Sequence, residues 1–190
     1  QIGIYPLKEV QVPGGKVIMH IRKSTSPDSQ FIRKLHLEAF DSNEREVVSR
    51  LALELASASE PVLSLVAVEE DEIIGHVVFS PMKIIPGNDV FAYILAPLAV
   101  VPARQKQGIG TQLIQSGLNA LAEMGVDAVF VLGDPNYYKR SGFYVGHSIN
   151  APYQLPYPEA WLAKELKAGA LQGVTGTADC MPALMLPELW

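Results

Sequence analysis

The run Val100-Val101-Pro102-Ala103-Arg104-Gln105-Lys106-Gln107-Gly108-Ile109-Gly110-Thr111 carries the clearest chemical signal in the chain. An apolar segment stops at a proline, a short polar loop follows, and two glycines open an amphipathic helix. The first turn of a helix has backbone N–H groups without intrahelical partners and lies at the positive end of the helix dipole. Such a place suits a phosphate or pyrophosphate. A dinucleotide fingerprint would need a third glycine where this chain has Leu113. Its glycine turn would also follow directly on the strand, whereas Pro102 to Gln107 intervene here. Only Asp134, at the end of the next strand, favours that reading. No Gly-Lys-Ser/Thr follows the glycines, so a P-loop is excluded. The plainer alternative is a turn before a helix, with no ligand.

The pattern Leu98-Ala99-Val100-Val101-Pro102-x-x-Gln105-x-x-Gly108-x-Gly110 resembles the acyl-CoA signature of the GNAT superfamily of N-acetyltransferases. Downstream, Tyr138-Lys139-Arg140-Ser141-Gly142-Phe143 resembles the second signature of that superfamily, one helix and one strand later. The string Gly133-Asp134-Pro135-Asn136-Tyr137-Tyr138 is similar to a bacterial branch of it. The resemblance runs from about Val90 to Phe143 and extends back to Val17. It implies acetyl-CoA as co-substrate, its pyrophosphate held by backbone N–H groups of Gln105, Lys106, Gln107, Gly108, Ile109, Gly110 and Thr111. A Cβ in place of the glycines would hold the backbone away from the phosphate oxygens. The resemblance also explains Pro97, a proline inside a strand: this strand bulges and splays from its parallel neighbour. The pantetheine arm then pairs with the backbone of Leu98, Ala99 and Val100.

Acyl transfer from a thioester needs a neutral amine, a stabilised oxyanion and a proton for the departing thiolate. By resemblance, Tyr138 is the proton donor to the sulfur, and a backbone N–H near Leu98 meets the oxyanion. Val90 to Val101 holds no acid to serve as base. His76, in Gly75-His76-Val77-Val78 on the preceding strand, has an imidazole of suitable intrinsic pKa. A structural histidine at that place, or water as the base, is the other reading. Asp134 before Pro135 reads as turn chemistry. No His/Cys/Asp cluster has metal-ligand spacing, and no Gly-x-Ser-x-Gly is present.

The elements that position these residues follow from periodicity. Val17 to Ser24 reads as a strand, and Ser26-Pro27-Asp28 as a helix start, with Phe31, Leu35 and Phe40 on one apolar face. Glu44 to Ala58 is a second helix with Val47, Leu51 and Leu55 inward. Val62 to Val68, Ile73 to Ile85 and Val90 to Val101 are strands joined by the turns Glu69 to Glu72 and Pro86 to Asp89. The helix from about Gln107 to Met124, stopped by Gly125, buries Ile109, Leu113, Leu118 and Leu121. Asp127 to Leu132 completes a βαβ unit, and Trp161 to Leu166 is a further strand. The fold class expected is α/β (α+β): a single-domain, GNAT-like mixed, mostly antiparallel sheet flanked by helices, with a βαβ acyl-CoA-binding unit. Residues 1–16 read as an N-terminal extension and 17–190 as the N-acetyltransferase domain.

The chain has 190 residues, ample for a buried core, and a net charge of −5 with its basic residues scattered, which disfavours nucleic acid as partner. Its longest uncharged stretch, Val90 to Ala103, is too short for a membrane helix. The lone Cys180 suits a reducing cytoplasm. The expected function is acetyl transfer from acetyl-CoA to a primary amine, on a small molecule or a protein or peptide, by a monomer or homodimer without a metal. Tyr153, Tyr157 and Trp161 are candidates for an acceptor pocket, for core packing or for a dimer contact. A non-catalytic acyl-CoA-binding module is the alternative, and a nucleotide-dependent oxidoreductase a weaker one.

Overall fold

The computed structural model describes residues 8–12, 15–59 and 61–190. Its strands are β1 (Lys8–Val12), β2 (Gly15–Lys23), β3 (Leu63–Glu69), β4 (Glu72–Ile85), β5 (Ala92–Val100), β6 (Ala128–Leu132), β7 (Ile149–Asn150), β8 (Trp161–Glu165) and β9 (Gly176–Cys180). Its helices are α1 (Ser29–Ala39), α2 (Arg45–Ala56), α3 (Ile109–Glu123) and the single turn α4 (Pro135–Tyr138). The fold is a mixed α/β arrangement with a mostly antiparallel sheet flanked by helices. Within the stretch expected as an extension, Lys8–Val12 forms β1 and pairs antiparallel with β2. The residues before Lys8 lie outside the described ones.

The chain divides into two compact units, and β4, β5 and α3 each run from one into the other. The first unit comprises Gln1–Ala58, Leu63–Val78 and Pro97–Ser116. In it β2 pairs antiparallel with β3, and β4 lies between β3 and β5. All seven residues of β3 are buried, which is why its apolar run shows no alternation. The turn from β3 to β4 has Glu70 and Asp71 at φ of 48° and 65°, as a two-residue hairpin of this hand requires.

Helix α1 starts where Ser26-Pro27-Asp28 placed it, after one 3-10 turn. The Asp28 carboxylate accepts from the Thr25 N–H at 2.7 Å and takes both ends of the Arg22 guanidinium, at 2.7 and 2.9 Å. The buried face of α1 differs from the expected one. Ile32, Leu35 and His36 point inward, whereas Phe31 is 52% exposed. Spacings of three and one satisfy a helical stripe as well as spacings of four, and the stripe turned by one residue takes in a histidine. In α2 the same slip makes Val48, not Val47, the residue buried alongside Leu51 and Leu55.

The second unit comprises Ser59–Val62, Phe79–Ala96 and Gly117–Trp190. Here β5 pairs parallel with β6, β6 antiparallel with β8, and β4 antiparallel with β9. The last of these pairings, with β7 beside β9, was not foreseen in the glycine- and proline-rich C-terminal stretch. Phe79, Tyr93, Phe130 and Phe143 are fully buried.

Glycines set how closely helix and strand approach inside each unit. In the first, a Cβ on Gly75 would stand 2.8 Å from Leu113 Cδ1 and 3.2 Å from Ile109 Cγ2. In the second, a Cβ on Gly117 would overlap the Phe79 ring. The second contact leaves no slack, because Phe79 is itself fully buried. We expect Gly117→Ala to cost about 1–3 kcal/mol by overpacking. The added change Phe79→Leu should recover part of it. Thermal unfolding of the two variants checks this, and an unchanged midpoint for Gly117→Ala would refute it.

Candidate active site

The polar loop between β5 and α3 is built from its own backbone. Pro102 opens a single 3-10 turn, with Arg104 N–H on Val101 O at 2.9 Å and Gln105 N–H on Pro102 O at 3.3 Å. The Gln105 side chain donates to Val100 O at 3.1 Å, and Val101 N–H donates to Ile74 O at 3.0 Å, tying the loop's start to β4. Arg104 pairs with Glu69, at the end of β3, and donates to Gln107 Oε1 at 3.0 Å. These bonds hold the loop with Lys106 at φ 62° and Gly108 at φ 83°.

Alternation of left- and right-handed residues turns successive N–H groups toward one side, the geometry of an anion-binding nest. The helical N–H of Gln112 bonds to Gly108 O at 3.0 Å, so the donors ahead of it lie at the open end of α3. No acidic side chain sits in the first turn of that helix. Gln105, expected among the donors, has its N–H committed to the turn. The reason for Gly108 is also sharper than expected. A Cβ there would meet nothing within 4 Å, so it is the left-handed φ that calls for glycine. The donor set that remains fits a pyrophosphate.

Upstream, the parallel ladder of β5 with β6 runs from Ala92 opposite Ala128 to Leu95 opposite Val131. It ends two residues before Pro97, which has no N–H to offer. Past that point Pro97 and Ala99 are buried while Ala96, Leu98 and Val100 are half-buried.

Tyr138 belongs to the second unit. Asp134 caps α4, its side chain accepting from Asn136 N–H at 2.9 Å, which is the turn role read from the sequence. The Tyr138 ring packs edge-on against Tyr137 and Phe143, and a Cβ on Gly133 would overlap it. Gly133 is therefore the residue that leaves room for this ring. Burial, with Tyr137 adding to it, pushes the Tyr138 phenol well above the ordinary tyrosine value, so the hydroxyl keeps its proton. Of the aromatic acceptor candidates, Tyr153 and Trp161 line a cavity of about 630 Å³ with Asn150, Gln154 and His147. Both are hydrogen-bonded to backbone, Tyr153 Oη to Met185 O and Trp161 Nε1 to Ile149 O, while Tyr157 is 70% exposed. Among the described residues no group of three or more His, Cys, Asp or Glu could hold a metal ion. No described helix is long and apolar enough to cross a membrane.

His76 is 0% exposed, and both of its ring nitrogens are engaged. Nε2 lies 2.8 Å from Ser64 Oγ and Nδ1 lies 2.8 Å from His36 Nε2. Ser24 Oγ donates to Ser64 Oγ at 2.6 Å. To take a proton directly from a substrate, His76 would have to break one of these bonds. Sequence reasoning missed His36, Ser64 and Ser24. The one available signal was a histidine recurring with Ile32 and Leu35 on a helical face. Burial lowers the pKa of His36 to about 4, and that of His76 well below the ordinary histidine value.

Comparison with known proteins gives a consistent picture. The profile of the acetyltransferase (GNAT) family matches residues 29–144. The uncharacterised N-acetyltransferase YjhQ of Escherichia coli K12 is 38% identical over 160 residues, 80% of this chain and 87% of that protein. YhbS of the same strain, also an uncharacterised N-acetyltransferase, is 34% identical over 163 residues, 85% of this chain and 95% of its own length. The crystal structure of E. coli YhbS in complex with CoA superposes with a TM-score of 0.83 at 29% identity, covering 93% of this chain and 97% of that one. A GNAT family acetyltransferase from Brucella melitensis in complex with acetyl-CoA gives 0.71 at 30% identity, covering 87% and 97%.

The buried imidazoles make stability depend on pH. Unfolded, each histidine binds a proton near pH 6.5, whereas His36 in the folded chain does so only near pH 4. The unfolded state therefore holds more protons between these values, and stability falls as pH drops through that window. For His36 alone the loss is roughly 3 kcal/mol by pH 4. Urea unfolding from pH 7.5 to 4.5 should show the midpoint falling below pH 6.5, and a flat profile would contradict the burial of both rings as neutral groups.

Proposed function

The chain belongs to the acetyltransferase (GNAT) family, and from that premise we propose that it moves an acetyl group from acetyl-CoA to a primary amine by direct attack. The observation that carries this reading is the loop from Pro102 to Thr111, a row of backbone donors at a helix start with two left-handed residues and no acid in the first turn of α3. The CoA and acetyl-CoA present in the solved relatives support the same assignment. When bound, acetyl-CoA supplies the activated acyl group and a thiolate leaving group.

This chain's own residues supply the rest. Backbone N–H groups of Lys106, Gln107, Gly108, Ile109, Gly110 and Thr111 hold the pyrophosphate. The backbone of Leu98, Ala99 and Val100, beyond the end of the β6 ladder, pairs with the pantetheine amides, and an N–H near Leu98 meets the oxyanion. Tyr138 protonates the departing sulfur. A phenol is protonated at neutral pH, so the proton is present when the thiolate departs. The acceptor is an amine on a small molecule or on a protein or peptide.

Tyr138→Phe should lower kcat by about 100-fold, in the range of a lost general acid, with KM for acetyl-CoA little changed. Thiol release from acetyl-CoA with spermidine, tryptamine and a peptide amine measures it. Gly108→Ala should weaken CoA binding about 5- to 30-fold by calorimetry, because alanine at φ 83° carries about 1–2 kcal/mol of strain. Tight CoA binding by the unaltered protein without turnover of any amine would instead indicate an acyl-CoA-binding module. Failure to bind CoA at all would sink both readings.

A further inference from the structure

Arg104 and Gln107 occupy positions that the acyl-CoA signature leaves open, and Glu69, the last residue of β3, lies outside it. All three belong to the first unit. The Glu69 carboxylate takes the Arg104 guanidinium at both ends, Nη2 donating to Oε1 at 2.7 Å and Nη1 pairing with Oε2. The third guanidinium nitrogen, Nε, donates to Gln107 Oε1 at 3.0 Å. Gln107 Nε2 in turn donates to Ala103 O at 3.3 Å. The Gln107 side chain is thus held at both ends, and the loop from Ala103 to Gln107 closes into a ring that contains Lys106.

An arginine in a phosphate-binding loop is ordinarily read as a partner for the phosphate. Here all three of its side-chain nitrogens are engaged within the protein, by a carboxylate that is only 10% exposed and by Gln107. A bidentate pair so shielded fixes geometry as well as charge. The ring encloses a residue that needs fixing. Lys106 has φ 62°, in the left-handed region that residues with a Cβ disfavour. Its side chain is exposed, so packing does not hold it there. A lysine free to relax would leave that region, and the neighbouring N–H groups would no longer turn to one side.

We propose that Glu69, Arg104 and Gln107 form a splint that positions the anion-binding nest. Glu69 aligns the guanidinium, Arg104 aligns the Gln107 carboxamide, and the closed ring holds Lys106 left-handed. The proposal rests on the reading of the loop as the CoA pyrophosphate site. Arg104 is then a positioning residue and not a phosphate ligand, because its charge acts on Glu69. The splint holds the strained residue in the free protein, so the energy of CoA binding is not spent on ordering it.

Backbone chemical shifts of Lys106 report its φ and test the splint in the full chain without CoA. They should lie at left-handed values in the unaltered protein and move to ordinary ones in Arg104→Ala. Unmoved shifts in that variant overturn the proposal. By calorimetry, Arg104→Ala should weaken CoA binding about 5- to 30-fold, the size of the left-handed penalty. Adding Lys106→Asn to Arg104→Ala should restore most of the loss, because asparagine tolerates the left-handed region, whereas adding Lys106→Ala should not. Both additions remove the same charge, so equal effects from the two would make Arg104 a direct partner of the phosphates and overturn the proposal. Glu69→Gln separates the two roles again. Loss of the splint weakens CoA binding, while a freed Arg104 reaching phosphate leaves it unchanged or tighter, which also overturns the proposal. No CoA binding by the unaltered protein counts against the pyrophosphate reading, and the Lys106 shifts then decide the splint alone.

Discussion

Backbone polar groups need partners, and strand β5 is where this chain stops providing them. The ladder with β6 closes at Leu95, and Pro97 has no N–H with which to resume it. Val101 returns to β4, Gln105 folds its side chain back onto Val100, and the turn consumes its own N–H groups. After that the donors at the start of α3 face outward. Each local bond is ordinary. Together they convert a strand and a helix into two stretches of backbone able to pair with something other than protein, one extended and one nest-like. Arg104 and Glu69 steady the loop from β3.

Much of this was legible in the amino acids. Pro97, Pro102 and the glycines act through covalent constraints on φ and on hydrogen-bond donors, and such constraints hold whatever the tertiary context. The strands from Leu63 to Leu132 were legible because their apolar runs are bounded by turn residues. Helix faces were less so. Phe31 and Ile32 are adjacent and both apolar, and only packing decides which turns inward. The strands after Phe143 escaped because β7 and β9 are short and find partners far away in sequence, β9 on β4. The buried line of hydroxyls and imidazoles escaped for the same reason. Ser24, Ser64, His76 and His36 follow no short helical or strand period, and three strands and a helix must fold before they meet.

That line also carries a cost that apolar residues would have avoided. A buried imidazole with a nitrogen left unpaired loses the hydration it had in the unfolded chain, a penalty of order 1–3 kcal/mol. Leucine or methionine at either histidine position would be simpler for the core that Ile32, on the helix of His36, and Val66 and Val68, on the strand of Ser64, form with Ala52. Stability alone therefore does not account for two histidines and two serines in sequence-distant positions.

Burial acts on these histidines and on Tyr138 in the same direction, against charge, and with opposite chemical consequence. The phenol responds by holding its proton more tightly. The imidazoles respond by shedding theirs, so at neutral pH each keeps a lone pair. No buried counter-ion is needed to hold either group neutral, because desolvation already favours the neutral form.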